Sequence, residues 1–427
     1  MAAADCSSGK TCIHQKQMAP SRLEAWARLF VTRYLGSHIS TDRLILEEEG
    51  GETFTFEGTS KKCNLEAVLK VHNPQFYWKV MTRADMGLAD AYIDGDFSFA
   101  DKDQGLLDLF MVLVANRDAN KSISEVSKKR GWWTPSLFVV GIASAKFFLQ
   151  HVLRQNTLTQ ARRNISRHYD LSNEFFSLFL KETMAYSTAI FKTEDEDLNT
   201  AQLRKISALI EKARIDKKHE ILEIEMKVKE AGLQDNIRLL LCDYRELPKG
   251  YKYDRIVSCE MIEHVGHEYM EDYFSICESA LAEDGLLVLQ FISIPDERYD
   301  EYRRSSDFIK EYIFPGGCLP SLSRITSAMS VASRLSVEHV ENLGSHYYFT
   351  LRCWRKNFLE NKRKILSLGF DEKFIRTWEY YFDYCAAGFK TYTLGDYQVV
   401  FSRPGNVAAL GNPYKGFPSA YQHLSLI

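Results

Sequence analysis

The stretch KKHEILEIEMKVKEAGLQDNIRLLLCDYREL, residues 217–247, decides the fold of this chain. It holds two short apolar segments typical of buried strands, HEILEI and IRLLLCDY, joined by residues that mostly favour helix. Strands of this kind with a crossover between them predict a parallel sheet that helices cover on both faces. In many such sheets a glycine-rich loop after the first strand binds a nucleotide cofactor. Here Ile224 is followed by Glu225, and the next glycine is Gly232.

The chain on either side of this stretch continues the alternation of helices and strands. LRKISALIEKARI predicts an amphipathic helix before it, and YDRIVSCEMI and GLLVLQFISI predict two further buried strands after it. MEDYFSICESALAEDG has the spacing of a helix between those strands, the segment 357–388 has a helical pattern, and YQVVFSRP predicts a last strand. The sequence therefore predicts an α/β fold from residue 166 onward.

The chain before this region follows a different pattern. RLILEEEGGETFTFEG predicts a hairpin that turns at Gly50 and Gly51, and the stretch 65–101 has helical spacing followed by an acidic turn. Residues 1–20 are small and polar, which predicts a disordered tail. The predicted organisation is a tail and leading helix at 1–40, a small N-terminal domain at 41–118, a helical connector at 119–160 and the α/β domain at 161–427.

The composition argues against several classes of function. The formal net charge is −3, so the chain lacks the overall basicity of a nucleic-acid binder. Nine cysteines are scattered without a CxxC pair, which argues against a disulfide framework or a zinc site and fits a reducing compartment. The first residues lack an apolar signal region. We therefore expect a cytoplasmic protein without a metal centre.

The longest apolar run is WWTPSLFVVGIASAKFFLQHVL at residues 132–153. Pro135, Gly141 and Lys146 interrupt it, which argues against a membrane-spanning helix. We expect a buried helix or an arm between domains. An interfacial segment is the alternative, because basic residues at 128–130 precede two tryptophans, a combination that suits an anionic lipid surface.

Eight motifs occur along the chain in this order: RHYDLSNEFFSLFL, MAYSTAIF, CDYREL, YDRIVSCEMIEHVG, YIFPGGCLPS, NLGSHYYFTL, YYFDYCAAGF and YQVVFSR. With them the chain resembles the cyclopropane-fatty-acyl-phospholipid synthases over nearly its whole length from about residue 41. The resemblance implies a Rossmann-like class I methyltransferase domain, preceded by a small α+β domain. It also implies S-adenosylmethionine as cofactor and addition of a methylene across the cis double bond of a phospholipid acyl chain. Related members methylate the alkene without closing the ring, or methylate amines.

The resemblance further implies a bound bicarbonate as the base that takes a proton from the new methyl group so that the ring can close. By motif, Glu263 would orient this bicarbonate, Tyr347 would donate to it and the backbone of Ile292 would contribute. Gln290 stands where bacterial members often carry histidine, and its amide can hydrogen-bond the anion. Thr188 stands where many members carry cysteine, and its hydroxyl could contact the anion.

Cys385 of YCAAGF matches a cysteine assigned to the family's active site, although the chemistry gives it no nucleophilic role. Taken alone it is equally well explained as a small buried hydrophobe. Glu263 alone is explained by capping of a helix, and Tyr347 alone by packing in the core. His264 and His267 lie three residues apart without a third ligand in view, so no metal site is predicted.

The resemblance also implies which residues hold the cofactor and which surface the protein works on. Six residues are assigned to the cofactor: Tyr186, Ser187, Glu223, Ile224, Tyr244 and Arg245. Tyr244 would lie beside the adenine. The substrate implies a protein peripheral to a phospholipid membrane, with a homodimer as one assembly to consider.

One helix–strand unit of the resembled fold is missing from the sequence. Family members follow the first strand with a loop such as G-C-G-W-G, a helix, and a second strand that ends in an acidic residue for the ribose. Here HEILEI runs directly into EMKVKEAG, which matches the end of the following helix, so about 30 residues are lacking at the usual size of such a unit. The undistorted flanks indicate a clean excision, as from a skipped exon or a mispredicted gene. The 12 residues at 225–236 suffice for a crossover of roughly a dozen residues.

Three functions follow from this sequence. The first is a cyclopropane synthase whose binding of S-adenosylmethionine is impaired by the missing loop. The second is a related methyltransferase of alkenes or amines, which an open amine pocket would favour over a site for a small anion. The third is a cofactor-blind isoform that binds lipid or a partner subunit.

Overall fold

The computed structural model describes residues 20–59, 65–117, 171–216, 219–222, 243–248, 250–412 and 414–421. They belong to two compact units, Met1–Ala119 and Asn120–Ile427. The predicted connector at 119–160, the apolar run at 132–153 and the tail up to residue 19 lie outside the described residues. The four-part division of the chain therefore stays a prediction. Among the described residues no helix is both long and apolar enough to cross a membrane.

In its described part, the first unit contains a four-stranded sheet with the order β2-β1-β3-β4 and three helices. Its elements are α1 (Arg22–His38), β1 (Arg43–Glu48), β2 (Thr53–Glu57), β3 (Glu66–Val71), α2 (Gln75–Asp94), β4 (Phe97–Phe99) and α3 (Gly105–Arg117). The predicted hairpin is confirmed, because β1 and β2 pair antiparallel with Leu46 opposite Phe54. Gly50 has a φ of 69°, which the turn between the two strands requires.

The helical pattern predicted for the stretch 65–101 is wrong over its first part. Glu66–Val71 forms strand β3, which pairs parallel with β1, and the helix begins only at Gln75. Ala67, Leu69 and Val71 are buried while the residues between them are partly or fully exposed. This alternation is the period of a strand with one face on the core.

Among the described residues, the second unit contains a five-stranded sheet with the order β5-β6-β7-β9-β8. Its helices are α4 (Asn173–Leu180), α5 (Leu198–Lys212), α6 (Met270–Ala280), α7 (Asp296–Tyr302), α8 (Leu322–Ala332), α9 (Gly344–Glu360), α10 (Lys362–Ser367), α11 (Glu372–Lys390) and α12 (Val407–Leu410). Its strands are β5 (Ile221–Leu222), β6 (Tyr253–Cys259), β7 (Leu281–Ser293), β8 (Ser336–Asn342) and β9 (Gly395–Ser402). Strands β5, β6 and β7 run parallel, whereas β9 pairs antiparallel with both β7 and β8.

Most predicted elements of this unit are confirmed. YDRIVSCEMI, GLLVLQFISI and YQVVFSRP supply β6, β7 and β9, and the helix predicted before β7 is α6. That helix ends at Ala280, earlier than predicted, because Leu281 already pairs with Tyr253 of β6. Of the segment IRLLLCDY, residues 237–242 lie outside the described chain, and the next described turn is Tyr244–Glu246.

Helices cover the second sheet on both faces, as expected for an α/β fold. On one face Leu289 of β7 shares a buried cluster with Phe274 of α6 and Ile325 of α8. On the other face Val288 packs in a cluster with Leu209 of α5. Nearly the whole of β7 from Gly285 onward is buried, which explains why its sequence is continuously apolar rather than alternating.

Candidate active site

A cavity of about 100 Å³ opens where strands β6 and β7 end. Its walls come from the residues after these two strands, from helices α9 and α11, and from the segment 302–319. A buried water needs roughly 10–15 Å³ on this measure, so the cavity has room for a small molecular group. The carboxyl ends of parallel strands are where open α/β sheets bind their ligands.

Glu260 is the centre of the polar side of the cavity. Its Oε1 accepts the backbone N–H of Thr188 at 3.2 Å and the Nε2 donor of Gln290 at 2.8 Å. Its Oε2 accepts the hydroxyl of Tyr347 at 2.7 Å. Glu260 follows β6 directly and has a φ of 47°, a left-handed conformation that is uncommon outside glycine.

A chain of hydrogen-bonded, buried polar side chains holds the Gln290 amide in one orientation. Gln290 Oε1 accepts from Gln398 Nε2 at 2.8 Å, and Gln398 Oε1 accepts from Lys212 Nζ at 2.7 Å. Lys212 also forms a buried ion pair with Glu341. Because an ammonium group only donates, it sets the orientation of both amides, and Gln290 must present its donor to Glu260 and to Asp396.

Glu263 is buried on the same wall with one oxygen unsatisfied. Its Oε1 accepts the backbone N–H of Ile292 at 2.6 Å, while Oε2 has no hydrogen-bond partner among the described residues. Burial, followed by the charge of Glu260, raises the pKa of Glu263 to about 8. At neutral pH Glu263 is therefore mostly a neutral acid.

Aromatic rings also line the cavity. Tyr347 stacks on Phe389 with centroids 4.4 Å apart, and Tyr186 lies 6.1 Å from Phe314. The hydroxyl of Tyr186 meets that of Tyr381 at 3.3 Å. Such rings offer electron-rich faces to positive charge and exclude water from the cavity.

Cys385 and His264 also line the cavity, and burial keeps both uncharged at neutral pH. Burial raises the pKa of the Cys385 thiol well above its usual range, so it is not a thiolate nucleophile. Burial lowers the pKa of His264 to about 4. His267 is instead bonded through Nδ1 to the hydroxyl of Tyr299 at 2.7 Å. The described residues contain no group of three side chains that could hold a metal ion.

Of the predicted catalytic residues, the structure places Glu263, Tyr347, Ile292 and Cys385 on the cavity wall. Gln290 and Thr188 reach it through Glu260. Thr188 does so through its backbone, while its hydroxyl donates to the Ala189 carbonyl at 3.3 Å. The roles assigned to these residues stay predictions.

The predicted cofactor residues are only partly described. Tyr186 lines the cavity, whereas Glu223 and Ile224 lie outside the described residues. The Ser187 hydroxyl and the Tyr244 hydroxyl are buried without a hydrogen-bond partner in the described chain. Arg245 is bound to Asp243 at 2.7 Å and lies over the Tyr244 ring.

The residues around Glu260 do not fit a bicarbonate in the position that the motifs predicted. The family resemblance predicts that Tyr347, Gln290 and Thr188 contact the anion. In the structure all three donate hydrogen bonds to Glu260. A bicarbonate there would have to displace the carboxylate of Glu260. Sequence reasoning missed Glu260, although the motif CEMIEHVG places a carboxylate directly at the end of a predicted strand.

Comparison with known proteins places the chain in a family. The sequence model of the mycolic acid cyclopropane synthetase family matches residues 156–226 and 224–399, more than half of the chain. Tuberculostearic acid methyltransferase UfaA1 of Mycobacterium tuberculosis is 35% identical over 284 residues, covering 58% of this chain and 66% of that protein. Cyclopropane-fatty-acyl-phospholipid synthase of Escherichia coli K12 is 29% identical over 382 residues, covering 82% and 92%.

Solved structures agree with this placement. Mycolic acid cyclopropane synthase CmaA1, complexed with SAH and CTAB, is 27% identical with a TM-score of 0.50, covering 56% of this chain and 98% of that one. Coclaurine N-methyltransferase, at 17% identity and a TM-score of 0.52 over 74% of this chain and 99% of that one, shares the fold. This chain therefore belongs to the mycolic acid cyclopropane synthetase family of S-adenosylmethionine-dependent methyltransferases and has their α/β class I methyltransferase fold.

Proposed function

We propose that this chain is a cyclopropane synthase that is impaired in binding its cofactor. Its reaction would transfer a methylene from S-adenosylmethionine to the cis double bond of an unsaturated phospholipid acyl chain and close a cyclopropane ring. The observation that carries the proposal is the cavity itself, which is lined both by aromatic rings and by the carboxyl groups of Glu260 and Glu263. The named activities of the relatives on fatty acyl chains support it.

The residues of the cavity suit a reaction that passes through positive charge. When bound, S-adenosylmethionine supplies the methyl group as a reactive sulfonium. The rings of Tyr186, Phe314 and Phe389 present their faces to an acyl chain that becomes cationic and keep water from quenching it. Glu260 adds a nearby negative charge, and Glu263 adds a buried acid that is neutral at pH 7.

Two observations support the missing helix–strand unit. The family match breaks into two segments that meet at residues 224–226, where the glycine-rich loop should begin. The sequence there has no glycine between Ile224 and Gly232. Without the loop, Tyr186, Ser187 and Tyr244 are left to hold the rim of the cofactor and its adenine, which supports weak rather than absent binding. A cofactor-blind isoform is the limiting case of this impairment.

The experiment that tests the proposed function measures transfer of labelled methyl from S-adenosylmethionine into unsaturated phospholipid vesicles. We expect little transfer by the chain as it stands and clear transfer once the glycine-rich loop, its helix and its strand are inserted after Ile224. The product should carry a cyclopropane ring, recognised by its upfield proton resonances. A methyl-branched alkene would assign the chain to the alkene-methylating relatives, and a labelled amine to the amine methyltransferases.

We further propose that the protein works at the surface of a phospholipid membrane, because its substrate would reside there. The basic residues 128–130 and the tryptophans after them lie outside the described residues, and their charge pattern supports this role. The proposal places the protein in the cytoplasm, peripheral to a membrane. A homodimer is compatible with it.

Replacing Lys128, Lys129 and Arg130 together with alanine is expected to weaken binding to anionic vesicles. Each basic residue near such a surface contributes roughly 1 kcal/mol, so the triple variant should lose on the order of 100-fold in affinity. Co-sedimentation with vesicles of anionic phospholipid measures it, and neutral vesicles serve as the control. Equal sedimentation of both proteins would remove the support for the interfacial segment.

A further inference from the structure

Glu260 lies where the family resemblance predicts that a small anion binds. Three donors from three separate parts of the chain converge on its carboxylate: the Thr188 backbone, the Gln290 amide and the Tyr347 hydroxyl. A carboxylate and a bicarbonate present similar planar pairs of oxygens to such donors. The side chain of Glu260 therefore already provides the anion that these donors require.

The carboxylate of Glu260 retains one acceptor site that these hydrogen bonds do not use. A carboxylate has about four lone-pair sites, two on each oxygen. Oε1 uses both of its sites, on Thr188 and Gln290, whereas Oε2 uses one, on Tyr347. Glu260 is partly exposed and lines the cavity, so a proton acceptor remains on Oε2 where a substrate would lie.

The backbone holds Glu260 in place at a cost. Its φ of 47° is left-handed, which is unfavourable for a residue with a side chain. The N–H of Glu260 donates to the carbonyl of Gln290 at 2.8 Å and ties this turn to strand β7. Strained residues of this kind cluster at active sites, where the surrounding structure holds them in position.

Of the two carboxyl groups in the cavity, Glu260 is the one that receives more hydrogen bonds. Burial raises the pKa of Glu260 above its usual range, and the hydrogen bonds from Tyr347, Thr188 and Gln290 and the charge of the buried Lys205 oppose that rise. Glu263 accepts only one hydrogen bond from another residue, and burial and the charge of Glu260 both raise its pKa. The hydrogen bonds therefore favour Glu260 as the anionic base of the pair and Glu263 as the neutral acid.

We propose that Glu260 is the built-in base of this enzyme and stands in for bicarbonate, an inference that rests on the proposed function. Oε2 takes a proton from the methyl group newly joined to the acyl chain. The electron pair of that C–H bond forms the second bond from the new carbon to the chain and closes the ring. The positive charge on the chain is neutralised, and Glu260 is left as a carboxylic acid.

The first test measures bicarbonate binding and needs no catalysis. Carbon-13-labelled bicarbonate is titrated into the full chain, and its resonance is followed. We expect no saturable binding to the native protein. Glu260→Gly should bind bicarbonate saturably, with an affinity at least about tenfold above any residual binding by the native protein. The substitution frees three donors, and glycine tolerates the left-handed backbone conformation. Glu260→Gln, the control of equal size, should leave the site closed.

Two results of this binding experiment would each overturn the inference without any measurement of catalysis. Saturable bicarbonate binding to the native protein would mean that Glu260 yields its donors to the anion. Failure of a folded Glu260→Gly protein to bind would mean that these donors do not form an anion site. Neither outcome depends on whether the chain transfers a methyl group.

The second test uses the chain with the loop restored, in buffer freed of carbon dioxide. Ring formation by the Glu260 protein should be unchanged by added bicarbonate, whereas Glu260→Gly should depend on it. Glu260→Gln should lose about 10²- to 10⁴-fold in turnover, the usual contribution of a general base. Bicarbonate-dependent turnover with Glu260 intact would overturn the inference. Absence of any methyl transfer would instead refute the proposed function and leave the binding result to decide the anion site.

Discussion

Restoring the glycine-rich loop, its helix and its strand after Ile224 is expected to raise the affinity of the chain for S-adenosylmethionine by roughly 10²- to 10³-fold. The restored backbone would donate to the carboxylate end of the cofactor, and the acidic end of the restored strand would hold the ribose. Three hydrogen bonds at ~1–1.5 kcal/mol each give this range. Isothermal titration with S-adenosylmethionine measures it directly.

Turnover should rise by more than affinity, because methyl transfer depends on alignment of the sulfonium with the acceptor. A matched control is the same insertion with alanines in place of the loop glycines, which restores length and sheet but keeps the backbone away from the cofactor. This control should bind little better than the original chain. If the original and restored chains bound S-adenosylmethionine with equal affinity, the missing unit would not be the cause of impaired cofactor binding.

The second unit could be predicted from the sequence because its strands are buried on both faces. Continuous apolar runs such as GLLVLQFISI have few alternatives in an α/β pattern, and they became β7 and its neighbours. Strand β3 was missed because EAVLKV is short and followed by a true helix. Over six residues the spacing of apolar positions does not separate a half-buried strand from the start of a helix.

The sequence predicted individual residues of the candidate site from their motifs, but it did not predict how these residues contact one another. Glu263, Tyr347 and Ile292 each stand in a motif, and the structure places all three in the lining of one cavity. Glu260 stands in a motif as well, but its importance comes from donors that converge from α9, from β7 and from the segment at residue 188. No sequence spacing records that convergence, since it depends on how distant segments pack.

The pH dependence of stability should contain a large contribution from Glu263. Its pKa is raised from 4.5 to about 8 in the folded protein. Between these values the folded state keeps a proton that the unfolded state has lost, so stability falls as pH rises through this window. At 1.36 kcal/mol per unit, the loss from pH 5 to pH 8 is roughly 3–5 kcal/mol. Urea unfolding at a series of pH values measures it.

Glu263→Gln should remove most of this slope, because the glutamine amide resembles the neutral acid and can still accept the Ile292 N–H. Asp383, another buried acid with a raised pKa, remains in both proteins and cancels in the difference. Asp396 does not cancel, because the charge of Glu263 is one of the causes that raise its pKa. Glu271→Gln is the control of opposite sign: its hydrogen bond with Arg324 lowers the pKa of Glu271, so this variant loses stability that is present above pH 4.5. If the free energy of unfolding changed with pH in the same way in the native protein and in Glu263→Gln, Glu263 would already be ionised in the folded state. The assignment of Glu260 as the base and Glu263 as the neutral acid would then be wrong.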